Sequence, residues 1–244
     1  MSETGAFSSC EGADLSAIPP DARSPLDAII FDMDGVLVDT EYLDYRTQVA
    51  FVRRVNTELG RSADIDCTSL VGTSFDALYQ ELWHLTGEVL PLAELRHRFD
   101  RVDRASHESR DYPELFRVDV VPLIDFAHEH GIHLAVASSS ERILIERVLE
   151  DCGILDDVDV IESGEDVRES KPHPEIYCKA LARLDAQPDR TVAIEDSTPG
   201  IAAAKAAGLR VIGYRETRMR VDQTHADWLV DDMGGALDII KRLI

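Results

Sequence analysis

Short apolar runs alternate with stretches of helical periodicity along this chain, and that alternation leaves few architectures open. The first run, residues 26–31 (LDAIIF), is Ile-rich and bounded by Pro25 and Asp32. Comparable runs lie at 132–137 (IHLAVA), 158–161, 191–194 (TVAI), 210–213 and 228–230. Each reads as a buried strand. Helical spacing fills 120–129, 141–151, 174–184, 199–207 and 236–243. Strand and helix taken in turn imply an α/β fold, a doubly wound, Rossmann-like parallel sheet with helices on both faces. Ligands of such sheets sit beyond the carboxyl ends of the strands, so the residues just past each run are the candidates for chemistry.

The alternation breaks over residues 41–110. There Tyr45, Val49, Val52, Val55 and Leu59 recur at helical spacing, then Phe75, Leu78, Leu82 and Leu85, then Leu95, Phe99 and Val102. Gly60, Gly72, Gly87 and Pro91 punctuate these segments. The pattern predicts a helical module at 41–110 inserted straight after the first strand, with the α/β core made of 26–40 and 111–244. Residues 1–25 lack a periodic apolar face and read as a disordered leader.

Composition excludes several function classes. The net charge of −22 argues against nucleic acid and against an anionic membrane surface, because both demand a basic footprint. No apolar run approaches the length of a membrane span, and the start of the chain lacks the basic and apolar regions of a secretion signal. Cys10, Cys67, Cys152 and Cys178 are scattered, without the spacing of a disulfide framework or a zinc site, as expected of reduced thiols in a cytoplasmic protein.

The densest chemical signal follows the first run: Asp32-Met33-Asp34-Gly35-Val36-Leu37-Val38-Asp39-Thr40. Two carboxylates two residues apart leave a buried strand, and Gly35 frees the backbone for a tight turn. Such a pair can hold one hard cation, although an acidic turn or a calcium-type loop would carry the same letters. Three further elements stand at the ends of later runs. Ser138, Ser139 and Ser140 offer hydroxyls and backbone N–H groups to phosphate oxygens. Lys171, in S-K-P-H-P, offers a fixed point charge for a phosphoryl group. Glu195 and Asp196, in E-D-S-T-P-G-I, add acid for a metal.

These elements, in this order, resemble the four motifs of the haloacid dehalogenase superfamily, in the capped branch that includes β-phosphoglucomutases and sugar-phosphate phosphatases. The resemblance runs from Leu26 to the C-terminus. The motif order differs from that of receiver domains, the non-enzymatic signalling modules that also gather acids, Ser/Thr and Lys around magnesium. The resemblance implies a cofactor, Mg2+, and roles. Asp32 is the nucleophile that becomes an aspartyl-phosphate, and Asp34 is the general acid and base. Ser138 and Lys171 hold the phosphoryl group, with Gly35, Ser139 and Ser140 also against the substrate. Asp32, Asp34, Glu195 and Asp196 form the metal set. An acid at Asp34 suits an alcohol leaving group and so phosphate esters, giving a small phosphorylated metabolite as the expected partner of a monomer or weak dimer.

The resemblance leaves hydrolase and mutase to be distinguished. The mutases carry a His where this chain has Asp44, and an Arg where G-T-S is followed by Phe75. Both departures favour the hydrolase, since an acid at Asp44 facing the cleft would repel a second phosphate. Arg46, Arg53, Arg54, Arg96, Arg98, Arg101, Arg104 and Arg110, with His97 and His107, are expected on solvated helix faces, and Trp83 in the interior of the inserted module.

Overall fold

A computed structural model describes residues 26–244, so the expected leader at 1–25 lies outside the described residues. Strands β1 (Ala28–Phe31), β2 (His133–Ser138), β3 (Val160–Ser163), β4 (Thr191–Glu195), β5 (Arg210–Tyr214) and β6 (Trp228–Val230) form one parallel sheet, ordered β3-β2-β1-β4-β5-β6. The chain winds outward from β1 in one direction and then returns to wind in the other. The switch point therefore falls between β1 and β4, where Phe31 is in register with both Val136 and Ile194.

Both faces of the sheet are covered because both residue sets along each strand are apolar. Ile29 and Phe31 face a cluster shared with α5 (Val121–His130), α6 (Arg142–Asp151) and α9 (Met233–Leu243). Ala28 and Ile30 face the opposite cluster, under α7 (Glu175–Leu184) and α8 (Thr198–Ala206). The expected α/β architecture is present, with element ends moved by up to three residues, in two cases for a reason the structure shows. β3 runs to Ser163 because Glu162, polar in sequence, is buried with Arg183 Nη1 3.0 Å from its Oε1. α9 starts at Met233, before the periodic residues, because Asp232 caps it and accepts from Gly235 N at 2.7 Å.

Between β1 and β2 lie α1 (Glu41–Glu58), α2 (Phe75–Leu85) and α3 (Leu92–Glu108), then the short α4 (Tyr112–Leu115). The first three share a cluster of their own, built on Phe51, Val52, Val55, Leu82, Leu95 and Phe99. The rings of Phe51 and Phe99 meet edge to face at 5.2 Å. Trp83 packs against this cluster while its indole N–H donates to Leu90 O at 2.6 Å, in keeping with the interior position expected of it. No helix among the described residues is long and apolar enough to cross a membrane. Cys67, Cys152 and Cys178 are free thiols.

The two crossings between these helices and the sheet run side by side. Asp39 N donates to Leu115 O and Arg117 N to Leu37 O, each at 2.9 Å, and Val38 bridges Phe116. Arg117 also donates to Asp39 Oδ1 at 2.8 Å and to Gly35 O at 3.3 Å. The loop after β1 is thereby pinned to the segment that leads back into the sheet.

Candidate active site

Asp32 is the first residue beyond β1, and its N–H still donates to Ile194 O of β4 at 2.9 Å. That bond aims the chain out of the sheet at the switch point. Lys171 Nζ stands 2.9 Å from Asp32 Oδ1, 2.8 Å from Glu195 Oε1 and 2.9 Å from Ala137 O. An ammonium has three protons to donate, and these three acceptors take them all.

Glu195 ends β4, fully buried, and its carboxylate is saturated. Oε1 accepts from Lys171 Nζ and from Tyr177 Oη at 2.9 Å. Oε2 accepts from Asp196 N, Ser197 N and Ser197 Oγ at 3.0, 3.1 and 3.0 Å. Gly200 makes room for it: a Cβ there would stand 1.7 Å from Glu195 Oε1. Gly35 does the same for Asp196. Its φ of 79° is left-handed, and a Cβ would fall 2.0 Å from Asp196 Oδ2.

One carboxylate oxygen each from Asp32, Glu195 and Asp196 lie within 4.8 Å of one another. The single ammonium of Lys171 does not balance the three acids. Burial pushes Asp32 up to about 7 against the pull of Lys171, with Glu195 and Asp34 adding to the rise. Asp196 is held well above the usual carboxylate range by burial and by Glu41, Glu195 and Asp32. Its Oδ1 is buried with no hydrogen-bond partner among the described residues. A buried acceptor is ordinarily satisfied. An orphaned carboxylate oxygen beside two further acids is a fit for a hard, oxygen-seeking divalent cation such as Mg2+.

Asp34 lies on the other side of the turn. Its Oδ1 accepts from Thr40 Oγ1 at 2.6 Å and its Oδ2 from Ser140 Oγ at 3.2 Å. Ser138, at the end of β2, accepts from Ser140 N at 3.1 Å, which curls the serine loop over the sheet end. Ser163 Oγ and Gly164 N tie that loop down through Ser140 O at 2.9 and 3.2 Å. Gly164 is required there, because a Cβ would meet Ser139 O at 2.3 Å. Direct contacts thus join Asp32, Lys171 and Glu195, then Asp34 and Ser140, then Ser138, with Asp196 against Gly35. Ser139 is found through its carbonyl against Gly164 rather than through its hydroxyl.

Sequence reasoning missed several participants. Thr40 closes the first motif and Glu41 follows it, yet nothing in their spacing marks them as participants. Burial pushes the Glu41 carboxyl up to about 8, with the charges of Asp44, Asp34, Asp32 and Glu195 adding to it. Tyr177 reads as one more apolar position of α7, and its contact with Glu195 appears only in three dimensions. The expectation that Arg110 and His107 lie on a solvated face is corrected. The Arg110 side chain is 5% exposed and paired with Asp44, and His107 Nδ1 lies 3.1 Å from Tyr112 Oη. The reason is that Arg110 lies past the end of α3, where the chain turns back towards α1 instead of facing water.

Comparison with known proteins agrees with this geometry. The family model described as haloacid dehalogenase-like hydrolase matches residues 29–214. Protein CbbY of Cereibacter sphaeroides is 34% identical over 194 residues, covering 77% of this chain and 83% of that protein. The phosphorylated carbohydrates phosphatase of Thermotoga maritima is 32% identical over 197 residues, covering 77% of this chain and 84% of its own length. Among solved structures, a point mutant of CbbY from Rhodobacter sphaeroides in complex with xylulose-(1,5)bisphosphate superposes with a TM-score of 0.64 at 30% identity. The match covers 85% of this chain and 94% of that one. A match of this extent, laid over β1, β2 and β4 with a motif at each carboxyl end and Lys171 brought to them from the loop after β3, makes this chain a member of the haloacid dehalogenase-like hydrolase family.

Proposed function

We propose that this chain is a Mg2+-dependent phosphatase that hydrolyses a small phosphate monoester, a sugar phosphate, through an aspartyl-phosphate on Asp32. The observation that carries the reading is the pairing of two differently held carboxylates at one strand end. Asp32 is bound by a lysine beside the orphaned Asp196, and Asp34 is bound by two hydroxyls. That difference suits a nucleophile and a proton carrier.

In the first step an oxygen of Asp32 attacks phosphorus and the ester P–O bond breaks. Asp34 gives its proton to the departing alkoxide, so the alcohol leaves neutral. In the second step Asp34 takes a proton from water as that water attacks the phosphorus of the aspartyl-phosphate. The acyl-phosphate P–O bond breaks, inorganic phosphate leaves and the Asp32 carboxylate returns. Ser138 and Lys171 hold the phosphoryl oxygens, Lys171 turning to them the N–H that Asp32 otherwise accepts while Asp32 and Glu195 keep its charge, and Gly35, Ser139 and Ser140 form the rest of the pocket wall. Asp32 and Asp196 through their carboxylates and Asp34 through its backbone carbonyl would hold the cation with Glu195 beside them, and when bound it would supply positive charge against the repulsion between an anionic nucleophile and an anionic substrate.

The phosphatase name of the Thermotoga relative, which specifies phosphorylated carbohydrates, supports a sugar phosphate as substrate. Residues 41–110 act as a cap over a core made of 26–40 and 111–244. A cytoplasmic location and a monomeric or weakly dimeric state belong to the same proposal. The test is a screen of phosphate monoesters read by free phosphate, with Asp32→Asn as the control. Phosphate release from sugar monophosphates by the unaltered protein and not by the variant is expected. Release by neither would overturn the reading.

A further inference from the structure

We infer that Asp44 is a specificity-determining residue that works by occupying Arg110, so that this guanidinium is withheld from a second phosphate on the substrate. The inference rests on the phosphatase reading above and narrows its substrate to a monophosphate with an uncharged, hydroxyl-bearing far end.

The position of Asp44 follows from the backbone. Asp44 N donates to Thr40 O at 3.0 Å, and Thr40 Oγ1 donates to Asp34 Oδ1 at 2.6 Å. Asp44 is therefore one helical turn above the residue that grips the proton carrier, on the side where the leaving group must lie. Consistent with this, the charge of Asp34 reaches both Asp44 and Arg110.

Arg110 comes to Asp44 from the far end of the inserted helices. Its Nη2 donates to Asp44 Oδ1 in a short contact, and its Nη1 lies 3.3 Å from Asp44 Oδ2. This is the planar two-point grip for which a guanidinium is suited, and the same grip it would offer to a phosphate. The remaining contacts are also spent within the cap: Nη2 to Ser106 Oγ at 3.3 Å and Nη1 to His107 Nδ1 at 3.2 Å. Asp103 Oδ2 lies 3.7 Å from His107 Nε2, and Glu41 is close enough to Asp44 for each charge to raise the other's cost. Acids outnumber the guanidinium around it, so an incoming anion would have to displace Asp44 and leave a half-buried carboxylate unpaired.

This changes the physical reason for disfavouring a bisphosphate. The acid at Asp44 does not act as a bare repelling charge; it withdraws a cation that would otherwise bind. Removing the acid should consequently free a grip that is lost once Arg110 is also removed, whereas relief of bare repulsion would persist without Arg110.

The experiment measures inhibition of p-nitrophenyl phosphate hydrolysis by fructose 6-phosphate and by fructose 1,6-bisphosphate in Mg2+. In the unaltered protein the bisphosphate should bind no better than the monophosphate. In Asp44→Asn the preference should move toward the bisphosphate by ~10-fold or more, the scale on which close charges discriminate between partners. In Asp44→Asn with Arg110→Gln the shift should vanish. A bisphosphate preference in the unaltered protein would overturn the inference, and that measurement needs no variant to fold. So would a shift of less than about twofold in folded Asp44→Asn, or an equal shift in the double variant. Absence of p-nitrophenyl phosphate hydrolysis in the unaltered protein would count against the phosphatase reading instead.

Discussion

Thr40 stands at the N-cap of α1 but does not cap it: its hydroxyl donates to Asp34 Oδ1 at 2.6 Å instead. A threonine in this position ordinarily stabilises its helix by about 1 kcal/mol through a backbone N–H. Here that contribution is forgone, and the start of the inserted helices is tied to Asp34.

Thr40→Val tests what the tie does. Valine keeps the shape of this fully buried side chain and removes only the donor. Since no cap is lost, melting temperature should change little. Turnover should fall about tenfold, the worth of one hydrogen bond to a charged group. Unchanged turnover would show that Asp34 is positioned without Thr40.

Asp32→Asn should abolish phosphate release, by ~10⁴-fold or more, as is usual when a covalent nucleophile is removed. The fold should survive, because the substitution relieves a buried acid that is raised to about 7 by its surroundings. Retention of a tenth of the activity would exclude Asp32 as the nucleophile.

Metal and pH should act on stability together. In the metal-free protein burial raises Asp32 to about 7, Asp44 to about 6 and Glu41 to about 8. The unfolded carboxylates titrate near 4, so between about pH 4 and 8 the folded state holds protons that the unfolded chain has released. More protons on the folded side means that stability falls as pH rises through this window. Melting temperature in chelator should therefore drop from pH 5 to pH 8. Mg2+ should restore it, and by more at pH 8, where the acids it faces are ionised. Equal Mg2+ stabilisation at both pH values would contradict the assignment of the acidic cluster as the cation site. Asp196→Ala should remove most of the effect.

Gly200→Ala separates helix propensity from site geometry. Alanine in α8 gains at most about 1 kcal/mol over glycine. Its Cβ would stand 1.7 Å from Glu195 Oε1, a position that something must vacate. Overpacking of this kind costs ~1–3 kcal/mol, so net destabilisation is expected by calorimetry, with activity lost as Glu195 is pushed off Lys171. A more stable and fully active variant would show that the Glu195 carboxylate is free to move.

Hydrolase and mutase are told apart by incubation with β-glucose 1-phosphate and a trace of the 1,6-bisphosphate. Free phosphate should accumulate without stimulation by the bisphosphate if Asp44 and Phe75 take the places where the family resemblance puts the His and Arg of a mutase. Glucose 6-phosphate appearing faster than phosphate would reverse the assignment.

The chain's own letters were enough for the sheet, for the inserted helices and for the order of the motifs. These are properties of period and spacing: LDAIIF and TVAI can only be buried, and the residues that follow them can only lie at the sheet's carboxyl edge. Tertiary structure decided which groups are committed to one another. Glu195 and Asp196 read in sequence as a pair of acids, and only packing shows that Tyr177 and Lys171 share one oxygen of Glu195 while Ser197 holds the other. Arg110 reads as one charge on a solvated helix, yet the return of the chain past α3 folds it onto Asp44. Local sequence records what a side chain can do. Partners 18, 24 or 66 residues away, brought within hydrogen-bond distance by packing, decide what it does.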